Sequence, residues 1–126
     1  MMQQLGKSSI ENACEIFLAN RDVRYICIID KMGNLIFEKE QKGKNLLISS
    51  KESRSLYIKS VLGILFDKDL DSQIGVLRYN VSHRTRLDLI SIPMHGHVIL
   101  ISIEPKTNSD LIANSAIEVF EKILGN

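Results

Sequence analysis

Residues 23–40 read VRYICIIDKMGNLIFEKE, which is two β-prone runs around a short polar turn. The first run, residues 23–30, is almost continuously apolar, as a central strand covered on both faces would be. The second run ends in charge at residues 38–40, where a strand would leave the core. Gly33 and Asn34 tolerate the positive φ of tight turns, and the Asp30 side chain can accept hydrogen bonds from turn N–H groups. We therefore predict a β-hairpin, with Asp30 as a turn residue and not a catalytic acid.

Length and composition predict one domain, residues 1–126. The net charge of +1 gives no strong attraction to nucleic acid or to an anionic membrane. No apolar run is long enough to cross a membrane, and the first residues lack the apolar segment of a signal peptide. We expect a cytoplasmic protein. In that reducing compartment Cys14 and Cys27 are expected to be free core side chains.

Capping signals mark three predicted helices. Ser8 with Glu11 and Ser49 with Glu52 match the capping box, and residues 107–110 resemble it. The second helix should run from about residue 50 to 66. The inner stripes predicted from helical spacing are Ile10, Ala13, Cys14, Phe17 and Leu18, then Ile58, Val61, Leu62 and Leu65, and last Ile112, Ala116, Val119, Phe120 and Ile123.

The second helix carries more apolar residues than one buried stripe needs. Leu56, Tyr57, Ile64 and Phe66 fall on its other faces. A helix of this kind is either covered by another element or used for self-association. Because the chain has few elements left to cover it, we predict a homodimer.

Three strands are predicted between the second and third helices. They are residues 74–80, 85–92 and 98–104, with a turn at residues 94–97. The apolar alternation of the middle run shifts phase before Ile90, which suggests a bulge or a twist, and Pro93 should end that strand. The three strands would form an antiparallel meander.

The order of elements is then helix, strand, strand, helix, strand, strand, strand, helix. We expect an α+β fold in which the strands form one five-stranded antiparallel sheet with helices packed on it. This order resembles the roadblock/dynein-light-chain and profilin-like group of folds. Residues 28–36 are similar to the roadblock hairpin pattern of an apolar pair, Asp, two residues, Gly, one residue and an apolar residue. The chain also resembles small archaeal proteins of about this length.

The resemblance implies a function as well as a fold. Roadblock-like modules are generally non-enzymatic, dimerise through the second helix and a neighbouring edge strand, and scaffold or regulate small GTPases and motors. It therefore implies a homodimeric regulatory or scaffold module with a small GTPase-type partner and no cofactor. The dimer-interface residues that it implies are Leu56, Tyr57, Val61, Ile64, Leu65, Val76 and Arg78.

A basic cluster falls around one predicted strand connection: Arg78, Tyr79, His83, Arg84 and Arg86. Arginines at this spacing suit phosphate or an acidic protein partner, and a solvated strand face is the alternative. RNA recognition would need further aromatic side chains beside Tyr79. We expect no nucleic-acid binding and treat the cluster as a candidate partner-binding site.

Metal and catalytic motifs are missing from the sequence. His95 and His97 flank Gly96 in a turn, and only His83 could supply a third ligand, so no zinc site is predicted. The acidic run at residues 67–72 departs from the EF-hand pattern and reads as a solvated loop. No nucleophile elbow and no glycine-rich phosphate loop occur.

Two alternatives to a regulatory module stay open at this point. A PAS-like sensor would hold a small molecule between helices and sheet and would need an internal cavity. An enzyme would need a cleft with converging groups, with Arg84, Arg86 and His83 as the first place to look.

Overall fold

The computed structural model describes residues 2–43 and 50–125, and the side chains of residues 9–43, 51–64 and 69–125. The elements follow the predicted order, with a short helical insertion after the second helix. They are α1 (Met2–Leu18), β1 (Val23–Asp30), β2 (Leu35–Glu40), α2 (Ser50–Asp67), a 3-10 turn (Lys68–Leu70), α3 (Asp71–Ile74), β3 (Asn80–His83), β4 (Asp88–Met94), β5 (His97–Ile103) and α4 (Ser109–Leu124).

The five strands form one antiparallel sheet in the order β2-β1-β5-β4-β3. β1 lies inside the sheet, and its side chains alternate between two apolar cores. Ile26 and Ile28 join the core with α1 and α4, whereas Cys27 and Ile29 join the core with α2. The prediction of a central strand covered on both faces is therefore confirmed.

Helices cover the two faces of the sheet unequally. α1 and α4 lie together on one face, where the rings of Phe17 and Phe120 stack with centroids 6.0 Å apart. The other face is covered by α2, which buries Tyr57, Val61 and Ile64 against the sheet.

The β1–β2 hairpin has the predicted turn chemistry. Asp30 Oδ1 accepts hydrogen bonds from the backbone N–H groups of Met32 and Asn34, both at 2.9 Å. The bond from the Asn34 N–H is the main reason that the pKa of Asp30 lies below its usual value. Gly33 has a φ of 83°, whereas Asn34 does not adopt the positive φ that was allowed for it. A register shift opposite Ile28 and Ile29 leaves an extra residue on β2, which is a β-bulge at the sheet edge.

Two of the predicted helix starts are wrong. α1 begins at Met2, so Ser8 lies inside the helix and is not its N-cap. The residues before Ser8 are mostly good helix formers and extend the helix towards the N-terminus. The N-cap of α4 is Asn108, whose Oδ1 accepts from the Leu111 N–H at 3.1 Å, and not Thr107. Ser49 and its capping box lie outside the described residues.

The strand predicted at residues 74–80 is also wrong in its bounds. Asp71–Ile74 form α3, residues 75–79 form no strand, and β3 covers only Asn80–His83. The acidic run is likewise helical instead of a loop. Asp71 lies in the first turn of α3, where a carboxylate favours helix formation.

β4 runs without a bulge. Leu89 faces the core with α2 and Ile90 faces the core with α1 and α4, and the register with both neighbouring strands is continuous. The phase shift in the sequence therefore reflects a strand that is covered on both faces. Pro93 does not end β4. The pairing of β3 with β4 reaches only as far as Ser91, so no strand lies beside Pro93 on that side. The missing N–H of the proline therefore costs no hydrogen bond there.

The inner stripe predicted for α2 is out of phase. Ile58 and Leu62, predicted to face inwards, are 46% and 48% exposed. Val61 is buried as predicted, together with Tyr57 and Ile64. The side chain of Leu65 lies outside the described residues. α2 carries apolar residues on all of its sides, so their spacing in the sequence does not identify the face that packs on the sheet.

Candidate interaction surfaces

The segment that precedes the edge strand β3 exposes large apolar side chains. Ile74 and Val76 are each 77% exposed. Between them Gly75 has a φ of 100°, a conformation that a residue with a side chain adopts only with strain. The backbone N–H of Leu77 donates to Asp71 Oδ1 at 3.3 Å, which anchors the segment to α3. Residues 75–79 therefore lie outside the strand ladder of the sheet, beside the exposed aliphatic side chains of Ile74 and Val76.

Two side chains tie this segment to α4. Arg78 Nη2 donates to Asn114 Oδ1 at 2.6 Å, and its guanidinium lies 5.9 Å from the centre of the Tyr79 ring. The Tyr79 hydroxyl donates to Asp110 Oδ1 at 2.6 Å, and this bond raises the pKa of Tyr79. Residues 74–79, which we call the edge segment, are thus held in place by hydrogen bonds to α4 of the same chain.

The structure divides the predicted dimer-interface residues into two groups. Val76 and Arg78 are exposed and Leu56 is half-buried. Tyr57, Val61 and Ile64 are buried against their own sheet and offer a second chain almost no surface. The outward side of α2 instead carries Ile58 and Leu62, which were predicted to face the sheet.

The predicted partner-binding residues are not one cluster. Arg78 and Tyr79 contact α4, whereas the other three residues lie at the far end of β3. His83 Nδ1 is 2.9 Å from Oδ2 of the buried Asp88, and the Arg84 N–H donates to the Leu87 carbonyl at 3.1 Å. Arg84 and Arg86 are exposed in the β3–β4 turn and form a smaller basic site of their own.

A polar cluster beneath α2 was not predicted. The hydroxyls of Tyr25 and Tyr57 are hydrogen-bonded, and each also reaches Glu38 Oε2, at 2.5 Å and 3.4 Å respectively. Burial is the main cause that raises the pKa of both tyrosines well above the usual range, and it raises the pKa of Cys27 to about 12. The register of β1 and β2 could have predicted this cluster, because it places Tyr25 and Glu38 on the same face of the sheet, the face that α2 covers.

An open groove of about 240 Å³ lies between β4 and α4, beyond the start of β3. Its walls come from the edge segment, β4 and α4. The lining residues are Leu77, Arg78, Ile92, Pro93, Met94, His95, Ile117 and Glu121. The groove opens to solvent and is not the enclosed cavity between helices and sheet that a PAS-like sensor needs.

The histidines beside Gly96 belong to the β4–β5 turn. His95 Nε2 is 2.6 Å from Glu121 Oε1, and His97 Nδ1 is 2.9 Å from the carbonyl of His95. Among the described residues no group of three His, Cys, Asp or Glu side chains could hold a metal ion. No helix in the described ranges is long and apolar enough to span a membrane.

Comparison with known proteins gives a family and a fold. A family model described as "Family of unknown function (DUF6659)" matches residues 2–125. No curated protein matches the chain. The gliding protein MglB from Thermus thermophilus has a similar structure, with 15% identity, 99% of this chain and 92% of that chain covered, and a TM-score of 0.71.

Two further solved structures share this architecture. The roadblock/LC7 domain from Streptomyces avermitilis is 6% identical over 81% of this chain and 82% of its own, with a TM-score of 0.64. Myxococcus xanthus MglB is 14% identical over 83% and 85%, also with a TM-score of 0.64. The fold is therefore that of roadblock domains, as the hairpin motif predicted. The resemblance to small archaeal proteins stays a prediction.

Proposed function

The chain belongs to the family of unknown function DUF6659, and we propose that it is a regulatory or scaffold module that acts through contacts with other proteins and catalyses no reaction of its own. The observation that carries this proposal is the exposed apolar segment at residues 74–79, which directly precedes the edge strand β3. An unpaired edge with exposed aliphatic side chains is a template for pairing with another chain.

The first partner that we propose is a second copy of the chain. Two copies related by a two-fold axis can place residues 75–79 side by side, so that their backbones pair. Val76 of each copy then loses its contact with water, and the anchoring of Arg78 and Tyr79 to α4 lowers the entropy lost on pairing. Of the predicted interface residues, this proposal keeps Val76 and Arg78 of the edge segment and leaves out the buried residues of α2.

The second partner that we propose is a small GTPase-type protein, the class that the roadblock resemblance implies. Arg84 and Arg86 are its contact site in this proposal, because both are exposed in a tight turn beside the sheet edge. Arginine in such a position binds carboxylates bidentately. An acidic surface on the partner would complement this turn.

Affinity capture from native lysate tests the partner site. The wild-type chain and an Arg84→Glu/Arg86→Glu variant are used as baits, and captured proteins are compared by mass spectrometry. An Arg21→Glu/Lys42→Glu variant is the control, because it makes the same change in charge at residues away from the β3–β4 turn. A GTPase captured by the wild type and the control, and lost from the arginine variant, supports the site. Equal capture by all three baits contradicts it.

A further inference from the structure

The sheet has a gap at its β3 edge, close to the β4–β5 turn. β3 pairs with β4 only from His83 back to Asn80, which lies opposite Ser91, whereas β4 continues to Met94. The residues of β4 beyond Ser91 therefore have a strand partner on the β5 side alone. The open groove between β4 and α4 lies at this gap, and the edge segment forms one of its walls.

The backbone of Pro93 faces the gap. The β4–β5 turn consists of His95 and Gly96, whose φ values of 47° and 77° are both positive, as in a type I′ hairpin turn. The hydrogen-bonded pair Met94–His97 closes this turn, and such pairs alternate along a ladder with pairs that are not hydrogen-bonded. Pro93 therefore turns its carbonyl away from β5 and towards the groove. Because a proline has no N–H to complete the next pair, the β3–β4 ladder ends before it.

Arg78 places a positive charge at one end of the groove. Its Nη2 donates to Asn114 Oδ1 on α4 at 2.6 Å, which leaves other guanidinium N–H groups for a ligand. Among the described residues no carboxylate forms an ion pair with Arg78, and Asp110 accepts from the Tyr79 hydroxyl instead. A planar carboxylate is the anion that a guanidinium binds best.

The rest of the groove is mostly apolar. Ile117 and Glu121 follow Asn114 at three and seven residues along α4, so all three lie on one face of that helix. Glu121 is about 10 Å along the helix axis from Asn114. It forms the far end of the groove, where its Oε1 lies 2.6 Å from His95 Nε2. Between the two ends the walls include Met94 and Ile117.

We propose that this groove binds the C-terminal residue of a peptide chain, one with a large apolar side chain. The terminal carboxylate lies on Arg78, and the amide N–H of the last residue donates to the Pro93 carbonyl. The apolar side chain packs on Met94 and Ile117. The peptide thus takes the place beside β4 that the missing strand pair leaves open.

The size of the groove fits such a ligand. Its volume of about 240 Å³ is below the roughly 300–1,000 Å³ of sites for drug-sized molecules. The groove therefore admits only the last one or two residues of a chain. A ligand with a carboxylate, an adjacent amide N–H and an apolar side chain matches the cation, the carbonyl and the apolar walls together.

This inference does not rest on the edge-paired dimer. The groove lies between the edge segment and the body of the same chain, whereas pairing of two copies uses the outer side of the segment. Val76→Asp separates the two proposals. It should abolish the dimer and change the affinity for a peptide by less than about threefold.

Titration of the wild-type chain with short peptides, followed by heteronuclear NMR, tests the site. The probe is the N-acetylated tripeptide Gly-Ser-Leu with a free carboxylate, which should shift the amide signals of Met94 and Ile117. The same peptide as a carboxamide, and an acid that ends in glycine instead of leucine, should each bind at least about tenfold more weakly. An absence of shifts at about 5 mM free acid, or equal affinity of the carboxamide, overturns the proposal.

Isocaproate distinguishes a peptide terminus from a small carboxylic acid. It keeps the carboxylate and the branched chain of the terminal leucine but has no amide N–H for the Pro93 carbonyl. We expect it to bind about three- to tenfold more weakly than the tripeptide acid. Equal affinity would show a site for small carboxylates and contradict the assignment to a peptide.

A pair of arginine variants tests the charged end. Arg78→Met should weaken binding of the tripeptide acid about tenfold and leave binding of the carboxamide nearly unchanged. Arg84→Met is the matched control, because it makes the same change in net charge at an exposed arginine in the β3–β4 turn. Circular dichroism first establishes that both variants are folded. Equal losses in the two variants would contradict the carboxylate contact with Arg78.

Discussion

The hydroxyl group of Tyr57, on the buried side of α2, is hydrogen-bonded to the hydroxyl group of Tyr25 on β1, and both reach the carboxylate of Glu38. These bonds fix which side of α2 lies on the sheet. The helix is apolar on several sides, so packing alone selects its orientation weakly. With Tyr57 held inwards, Ile58 and Leu62 face outwards.

Tyr57→Phe should lower the free energy of unfolding by about 1 kcal/mol, because it removes a hydrogen bond from a cluster that is partly closed to water. Urea denaturation followed by circular dichroism measures this change. Tyr79→Phe is the matched control. It removes an exposed hydroxyl that donates to Asp110 and should cost less than about 0.5 kcal/mol. Equal losses in the two variants would contradict the larger contribution of the Tyr25–Tyr57–Glu38 cluster to stability.

Stability should fall as the pH rises above about 9. Burial raises the pKa of Cys14 and Cys27 from 9.0 to about 12 and raises the pKa of Tyr25 above its ordinary 10.0. The unfolded chain loses these protons first, so the native state binds more protons at alkaline pH and the free energy of unfolding decreases. Urea denaturation at about pH 8, 9 and 10 tests the sign. Stability that is constant or rises over this range would contradict the burial of these groups.

Both cysteines should be unreactive in the native state. Cys14 and Cys27 are free and fully buried, in different cores. At about pH 8 a thiol reagent should label neither residue in the folded protein and both in urea, because the thiolate is the reactive form. Rapid labelling of the native chain would mean that one of the cores is open.

Gly33→Ala should destabilise the hairpin by about 1 kcal/mol or more. The backbone of Gly33 has a φ of 83°, and an added Cβ would lie 3.4 Å from Ile58 Cγ1. Gly43→Ala is the control, since Gly43 has a φ of 78° and an added Cβ meets nothing within 4 Å. A separation of 3.4 Å is ordinary van der Waals contact, so the two variants should lose similar amounts of stability, set by the positive φ. A much larger loss in Gly33→Ala would contradict this and show that Ile58 cannot give way to the added Cβ.

Local chemistry explains why some elements could be predicted from sequence. The β1–β2 hairpin follows from Asp30 and Gly33, whose roles depend on the next few residues alone. The order of elements follows in the same way from turn residues and apolar runs. Capping signals are less specific. Thr107 and Asn108 are adjacent and both are good N-cap residues, so the sequence does not decide which of them caps α4.

Tertiary contacts explain the errors. The orientation of α2 depends on Tyr25 and Glu38, which lie far from Tyr57 in sequence. Residues 74–80 have β-prone side chains, yet Ile74 ends α3, residues 75–79 form no strand, and β3 starts only at Asn80. Ile74 and Val76 therefore lie outside the sheet, and both are exposed. The candidate surface therefore became visible only in the folded chain.

The solution mass at high salt tests the proposed edge-paired dimer most directly. At about 500 mM NaCl and about 50 μM protein, sedimentation equilibrium of the wild-type chain should give twice the chain mass of 14.3 kDa. Val76→Asp should give the single-chain mass, because it places a charge at the paired edge, whereas Ile16→Asp on α1 should keep the dimer. A wild-type chain of 14.3 kDa under these conditions, or a dimer that survives Val76→Asp, would contradict the account.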